Sequence, residues 1–193
     1  LTSSANPAVV GAPVTFTATV TGGSLPAPGS VQFTVDGKAS TVALVDGKAT
    51  LMSTLDLGQH KVDVSYAGNP SFGASSASLT QLVQYRVKIL EPTEGKQFRA
   101  GTLVPFSFQL TDANGKPLPV LTAVLLLASG RVKVSATGSV SLPQLYPLYD
   151  PFAGNFFLPI PTLPRHTGPA TLKVTVTYPG APTQEVSVGI TLK

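Results

Sequence analysis

Val14, Phe16, Ala18 and Val20 alternate with Thr15, Thr17 and Thr19. A period of two puts the apolar side chains on one face of a strand and the hydroxyls on the other. Ninety residues later the device returns: Gly101 aligns with Gly11, Val104 with Val14, Phe106 with Phe16 and Leu110 with Val20. Two equivalent half-buried strands, separated by about the length of one β-sandwich, predict an all-β chain of two sandwiches in tandem.

Further alternating runs fill the first half. They are Val31/Phe33/Val35, Val42/Leu44, Ala49/Leu51/Ser53, His60/Val62/Val64/Tyr66 and Ala77/Leu79/Gln81/Val83, with a loop at 22–29. Asp36-Gly37 and Asp46-Gly47 are two-residue hairpin signals, because both central residues of such a turn take positive φ. Gln84-Tyr85-Arg86 then passes directly into Val87-Lys88-Ile89 with no Gly/Ser or Pro-rich linker. The domains are therefore placed at 1–84 and 85–193, and the short connector predicts a semi-rigid rod with a small apolar contact at the joint.

In the second half Asn114-Gly115 marks a turn, and Val132/Val134/Ala136, Leu172/Val174/Val176 and Val186/Val188/Ile190/Leu192 alternate. The apolar run Val120–Ala128, between Pro119 and Ser129-Gly130, reads as a strand buried on both faces. A Pro/aromatic-rich insertion around 142–164 sets Tyr146, Tyr149, Phe152, Phe156 and Phe157 among six prolines. Proline cannot donate to a central ladder, so much of this stretch is expected to be loop, edge or extended connection. Its aromatics have three readings: a plug for one end of the core, a contact patch for another subunit, or a stacking platform for sugars.

Composition narrows the function. Charged residues are 11% of the chain, against roughly 25% in an average soluble protein. Thr and Ser supply the polar faces instead. The net charge of +4 is uneven. Three lysines against four aspartates leave residues 1–84 at −1, and ten basic against five acidic residues leave 85–193 at +5. The basic residues are scattered and no nucleic-acid motif occurs, so no nucleic-acid partner is expected. With no cysteine there is no disulfide and no thiolate metal site. The longest apolar run falls far short of the roughly 20 residues that span a bilayer, so no membrane insertion is expected. No signal peptide is seen, which reads as a processed form or an excised piece.

The chemistry-bearing residues are sparse. No Gly-x-Ser-x-Gly elbow, phosphate loop, His-Glu-x-x-His helix or dinucleotide fingerprint is present. His60 opens a strand and His166 sits in Pro164-Arg165-His166-Thr167-Gly168, a turn-like setting. Neither has a second histidine or clustered carboxylates nearby in sequence, and both are read as structural. Asp112-Ala113-Asn114-Gly115 starts like a calcium loop but lacks the later oxygen ligands, so it is read as a hairpin turn. Catalytic residues, metal and cofactor are all expected to be absent.

Several stretches together resemble the bacterial Ig-like repeat domains of long secreted and surface-attached proteins. They are Ser4-Ala5-Asn6-Pro7, Gly11 to Val20, Asp46-Gly47-Lys48-Ala49-Thr50-Leu51, Gly58-Gln59-His60 and Val64-Ser65-Tyr66-Ala67-Gly68-Asn69-Pro70-Ser71-Phe72. The resemblance implies an immunoglobulin-like fold and a spacer or adhesive module, with no shared catalytic residues. The second half is similar to a bacterial C-terminal β-module marked by Pro-x-Lys-Phe and then Gln-Leu-Thr-Asp-Ala-Asn-Gly, here Pro105 to Gly115 with Ser107 in place of Lys. Tyr149 to Phe156 resembles the hairpin of the same module, and the implication is export and attachment.

The expected fold is two tandem immunoglobulin-like β-sandwiches. The expected role is a non-catalytic structural or interaction module of an exported bacterial protein, at the cell surface or outside it: a stalk, appendage or layer subunit, or a spacer. Its partners would be other protein subunits or copies of itself, met through apolar or edge-strand contacts. Two alternatives stand beside this: an adhesive module for cell-surface glycan using the aromatic–proline stretch, and an accessory domain of a secreted enzyme.

Overall fold

The computed structural model describes residues 1–22, 24–181 and 183–193; Gly23, inside the loop predicted at 22–29, lies outside the described residues, as does Pro182. The chain divides into two compact units, Leu1–Gln84 and Tyr85–Lys193. Each is an immunoglobulin-like β-sandwich.

The first unit runs β1 (Thr2–Ser3), β2 (Ala8–Val9), β3 (Pro13–Thr19), β4 (Thr21–Gly22), β5 (Leu25–Pro26), β6 (Ser30–Val35), β7 (Lys38–Ala43), β8 (Lys48–Thr54), β9 (Gly58–Tyr66) and β10 (Ser75–Gln84). One sheet has the order β1-β3-β8 and the other β2-β10-β9-β6-β7, with β4 and β5 as a separate small hairpin. Val14, Phe16 and Ala18 of β3 point inward onto Val31 and Phe33 of β6, Val62 of β9 and Val83 of β10. The threonines between them keep to the outer side, as the period of two requires.

The first strand serves both sheets: β1 pairs antiparallel with β3, and β2 pairs parallel with β10. Side chains bridge the crossing. Asn6 Nδ2 donates to the Thr80 carbonyl at 2.7 Å, and Asn6 Oδ1 accepts from Leu82 N–H at 2.9 Å. Gln81, fully buried, accepts from the Ser3 hydroxyl at 2.6 Å and donates to the Ala5 carbonyl at 2.7 Å. The Asn6–Pro7 peptide is cis.

Both Asp-Gly hairpins adopt the backbone their residues favour. Asp36 and Gly37 have φ of 47° and 83°, Asp46 and Gly47 of 49° and 72°. Their surroundings differ. A Cβ added at Gly37 meets nothing within 4 Å, whereas one at Gly47 comes 2.7 Å from the Val20 carbonyl oxygen. Gly37→Ala should therefore cost only the left-handed strain, about 1–2 kcal/mol. Gly47→Ala should cost clearly more, because Val20 and Pro26 must also move. Thermal unfolding of the two variants checks the order.

The second unit runs β11 (Arg86–Glu91), β12 (Lys96–Phe98), β13 (Leu103–Thr111), α1 (Val120–Ala128), β14 (Val132–Gly138), β15 (Leu142–Leu145), β16 (Leu148–Asp150), β17 (Asn155–Pro161), β18 (Gly168–Val176) and β19 (Gln184–Leu192). Its sheets are β11-β13-β17-β16 and β12-β19-β18-β14-β15. Again the opening strand changes sheet: β11 pairs antiparallel with β13 and β12 pairs parallel with β19. Glu94 does here what Asn6 does in the first unit, its Oε2 accepting from Gly189 N–H at 2.9 Å. Phe106, Phe108 and Leu110 from β13 meet Phe156, Leu172, Val174, Ile190 and Leu192 in a core closed to solvent.

The segment Val120–Ala128 is a helix, not the doubly buried strand its apolar run predicts. Only Ala123 and Leu126 are buried, three apart, so a helical rather than an extended period meets the core. Six of its nine residues are Leu or Ala, strong helix formers. Gly130, at φ 62°, ends it in a Schellman motif: Arg131 N–H donates to the Leu126 carbonyl and Gly130 N–H to that of Leu127. Ser129-Gly130 is thus a helix stop.

Within the insertion around 142–164, β15, β16 and β17 account for much of the chain. β17 holds two prolines although it lies between β13 and β16. Pro159 faces Pro105 across the ladder, and neither can donate, so this is a non-hydrogen-bonded pair whose backbone groups point away from each other. β16 ends its pairing at Phe157 and β11 at Ser107, so the missing donors would have met no strand. The prolines occupy places where no ladder bond is lost.

Candidate interaction surface

The two histidines are held by the fold. His60 Nδ1 lies 2.6 Å from Asp36 Oδ2, and its Nε2 lies 2.8 Å from the Asp56 carbonyl oxygen. The partner aspartate is 24 residues away in the chain, which is why sequence proximity misses it. His166 Nδ1 accepts from Leu163 N–H at 3.1 Å inside its own turn. Asp112 Oδ1 accepts from both Asn114 and Lys116 N–H, which is a turn and leaves that oxygen facing its own loop. Among the described residues no group of three or more His, Cys, Asp or Glu side chains could hold a metal ion, and no helix is long and apolar enough to cross a membrane.

The five aromatics singled out in the insertion do not share one surface. Phe156 is fully buried, stacked on Phe108 at 5.1 Å between ring centroids. Tyr149 is half-buried and tilted against Phe156 at 4.9 Å, and burial pushes its hydroxyl above the usual tyrosine range. Tyr146 is 56% exposed and lies beside Gly130, past the end of α1. Phe152 is entirely exposed at the tip of the β16–β17 turn. Phe157 alone stands on the outward face of the sheet.

Phe157 belongs to an apolar array that the register assembles. Leu103 faces Pro161, Pro105 faces Pro159, and Ser107 faces Phe157 across β13 and β17; Leu148 of β16 faces Phe157 from the other side. Alternation sets all of these side chains on the outside, opposite Val104, Phe106, Phe156 and Ile160 in the core. Leu103 and Leu148 are about 60% exposed and the three prolines are exposed as well. Pro105, Phe157 and Pro159 line a shallow groove of roughly 330 Å³ together with Ser107 and Glu91. Not one residue of the array is charged, and monomeric proteins seldom leave such a contiguous apolar patch uncovered.

With Gly101 aligned on Gly11, the outward positions Leu103, Pro105 and Ser107 correspond to Pro13, Thr15 and Thr17 of β3. Comparing the outward positions of the two aligned strands, instead of the inward ones, would have pointed to Pro105 from sequence. A second apolar exposure lies on α1, where Leu121 is 70% and Leu125 60% exposed.

With two β-sandwiches and these surfaces in view, the chain can be set beside known proteins. Residues 1–84 match the bacterial Ig-like domain (group 3). The match spans this Ig-like unit from β1 to β10. Among solved structures, the fibronectin(III)-like modules of Clostridium thermocellum CbhA share 14% identity over 100% of this chain and 93% of theirs, with a TM-score of 0.37. The titin domains Z1Z2 in complex with telethonin share 16% over 100% and 95%, with a TM-score of 0.31. A β-glucuronidase of Parabacteroides merdae shares 15% over 83% of this chain and 21% of its own, with a TM-score of 0.28. No curated protein sequence matches the chain.

Proposed function

We propose that this chain is a non-catalytic structural and interaction module of an exported bacterial protein, and that it engages protein partners through the outward face of β13, β17 and β16. The uncharged array of Leu103, Pro105, Leu148, Phe157, Pro159 and Pro161 carries this reading. Its centre is uncharged, and Ser107, Gln109 and the β11 residues Lys88 and Glu91 paired with them supply a polar and charged rim. The match of residues 1–84 to a bacterial Ig-like domain family supports the bacterial part of this reading, and the place outside the cell rests on the sequence resemblances of the two units. The partner is another protein subunit or a second copy of the chain. A continuous sugar platform is not what the aromatics build, since Phe156 is core and Tyr149 is packed on it.

Light scattering and sedimentation over a concentration series test the self-association arm. The wild-type chain should gain mass with concentration, and Leu148→Lys with Phe157→Lys should stay monomeric while unfolding at the wild-type temperature. If the wild type remains a monomer, the partner is a different subunit, and cross-linking in the producing cell should capture it with the wild type and lose it with the double variant. Capture that survives the double variant overturns the reading.

A further inference from the structure

Both ring nitrogens of His60 face atoms that only accept: a carboxylate oxygen of Asp36 and the backbone carbonyl of Asp56. A neutral imidazole carries one N–H and can satisfy one of them, while the imidazolium satisfies both. The His60 side chain is only 12% exposed, while the Asp36 side chain beside it is 47% exposed. Asp36 is fastened by more than the histidine. Its Oδ1 accepts from Lys61 N–H at 2.9 Å and its own N–H donates to the Lys61 carbonyl at 3.0 Å. The ring therefore joins two turns that are far apart in sequence, Asp36-Gly37 between β6 and β7, and the turn holding Asp56 between β8 and β9.

We propose that His60 and Asp36 form a protonation-dependent latch, which ties the β6–β7 turn to the β8–β9 turn and loosens that end of the Ig-like unit as the medium becomes alkaline. When the proton leaves, the imidazole keeps the Asp36 bond from Nδ1 and turns an Nε2 lone pair toward the Asp56 carbonyl oxygen at 2.8 Å, or keeps the Asp56 bond and abandons the carboxylate. Either choice leaves two electron-rich atoms in contact. The charged groups facing the ring favour the imidazolium: Asp36 from the β6–β7 turn and Asp56 from the β8–β9 turn, with Lys38 of β7 opposing them across the same groove. From β8 the groove receives only uncharged side chains, Met52 and Thr54 among them, and β10 sets the uncharged Gln81 opposite His60. Lys61 points its ammonium to Asp63 at 2.9 Å.

The direction of titration agrees with the geometry. Burial pulls His60 down, but the bonds to Asp36 and Asp56 outweigh it and leave the imidazole above its ordinary 6.5. The same hydrogen bond from His60, partly offset by burial, holds Asp36 below its ordinary 3.8. A raised histidine stabilises the fold fully below 6.5 and loses that contribution as pH climbs through its folded-state pKa. A depressed aspartate stabilises above 3.8 and loses it as pH falls through its own folded-state pKa. The latch is thus closed from mildly acidic conditions to near neutrality.

NMR titration of the full chain tests it directly. The His60 ring should titrate above 6.5 in the wild type and move downward in Asp36→Asn. Urea unfolding of the Ig-like unit at about pH 5 and about pH 8.5 adds a second reading. The wild type should lose stability across that interval by more than His60→Gln does. A His60 ring that titrates below 6.5, or is unmoved by Asp36→Asn, overturns the proposal; so does an equal alkaline loss in wild type and His60→Gln.

Discussion

Phe156→Ala should destabilise the second unit by about 3–5 kcal/mol, the range for emptying a buried phenylalanine site. Phe156 faces Phe108 across the β13–β17 ladder and stacks on it, and Tyr149 closes over its other side. All of its surface is buried, so the truncated site becomes a void lined by rings held in place by two strands. Phe152→Ala, four residues away and fully exposed, should change stability by less than about 0.5 kcal/mol. Four of the five tyrosines (Tyr85, Tyr146, Tyr149 and Tyr178) lie in this unit, so tyrosine fluorescence in a urea titration reports mainly on it. Equal effects of the two substitutions would place Phe156 outside the core.

Gln81→Leu should cost the Ig-like unit about 1–3 kcal/mol, because it removes three hydrogen bonds made by one fully buried side chain. Gln81 Oε1 accepts from the Ser3 hydroxyl, and its Nε2 donates to the carbonyls of Ala5 and Leu82. Leucine fills a similar volume yet answers none of them. The Ser3 hydroxyl and the Ala5 carbonyl belong to the segment that crosses from one sheet to the other, which Asn6 also ties to Thr80 and Leu82 and Ser4 to Thr15. Amide exchange in residues 2–9 should accelerate well before the rest of the unit responds. Wild-type protection there in the variant would show that strand pairing and the Asn6 and Ser4 bonds hold the crossing without Gln81.

Much of the fold could be read from alternation. The inward rows of β3 and β13 fall on the residues that a period of two selects, and both Asp-Gly turns have the positive φ their residues favour. Alternation reports which side of a strand is buried, but not what lies across the sheet. That is why Gln81 shows in sequence as an odd polar member of an apolar row, with its partners near the amino terminus invisible. The same blindness hides Asp36 from His60. The helix at Val120–Ala128 departs from the expected strand because a run of eight apolar residues broken only by Thr122 carries no clear period; the Leu and Ala content and the Gly130 stop are the signals that matter. The aromatic–proline stretch was legible as unusual, but its division between core and surface follows from the β13–β17 register, which no local pattern contains.

The sheet-switching first strand has a consequence for how each unit bears tension. β2 lies parallel to β10 in the Ig-like unit, and β12 lies parallel to β19 in the second. Pulling the two ends of either unit in opposite directions slides these neighbours lengthwise, so their hydrogen bonds are strained in shear and must fail together, not peel one after another. Asn6 and Glu94 extend the loaded seam beyond the strands themselves.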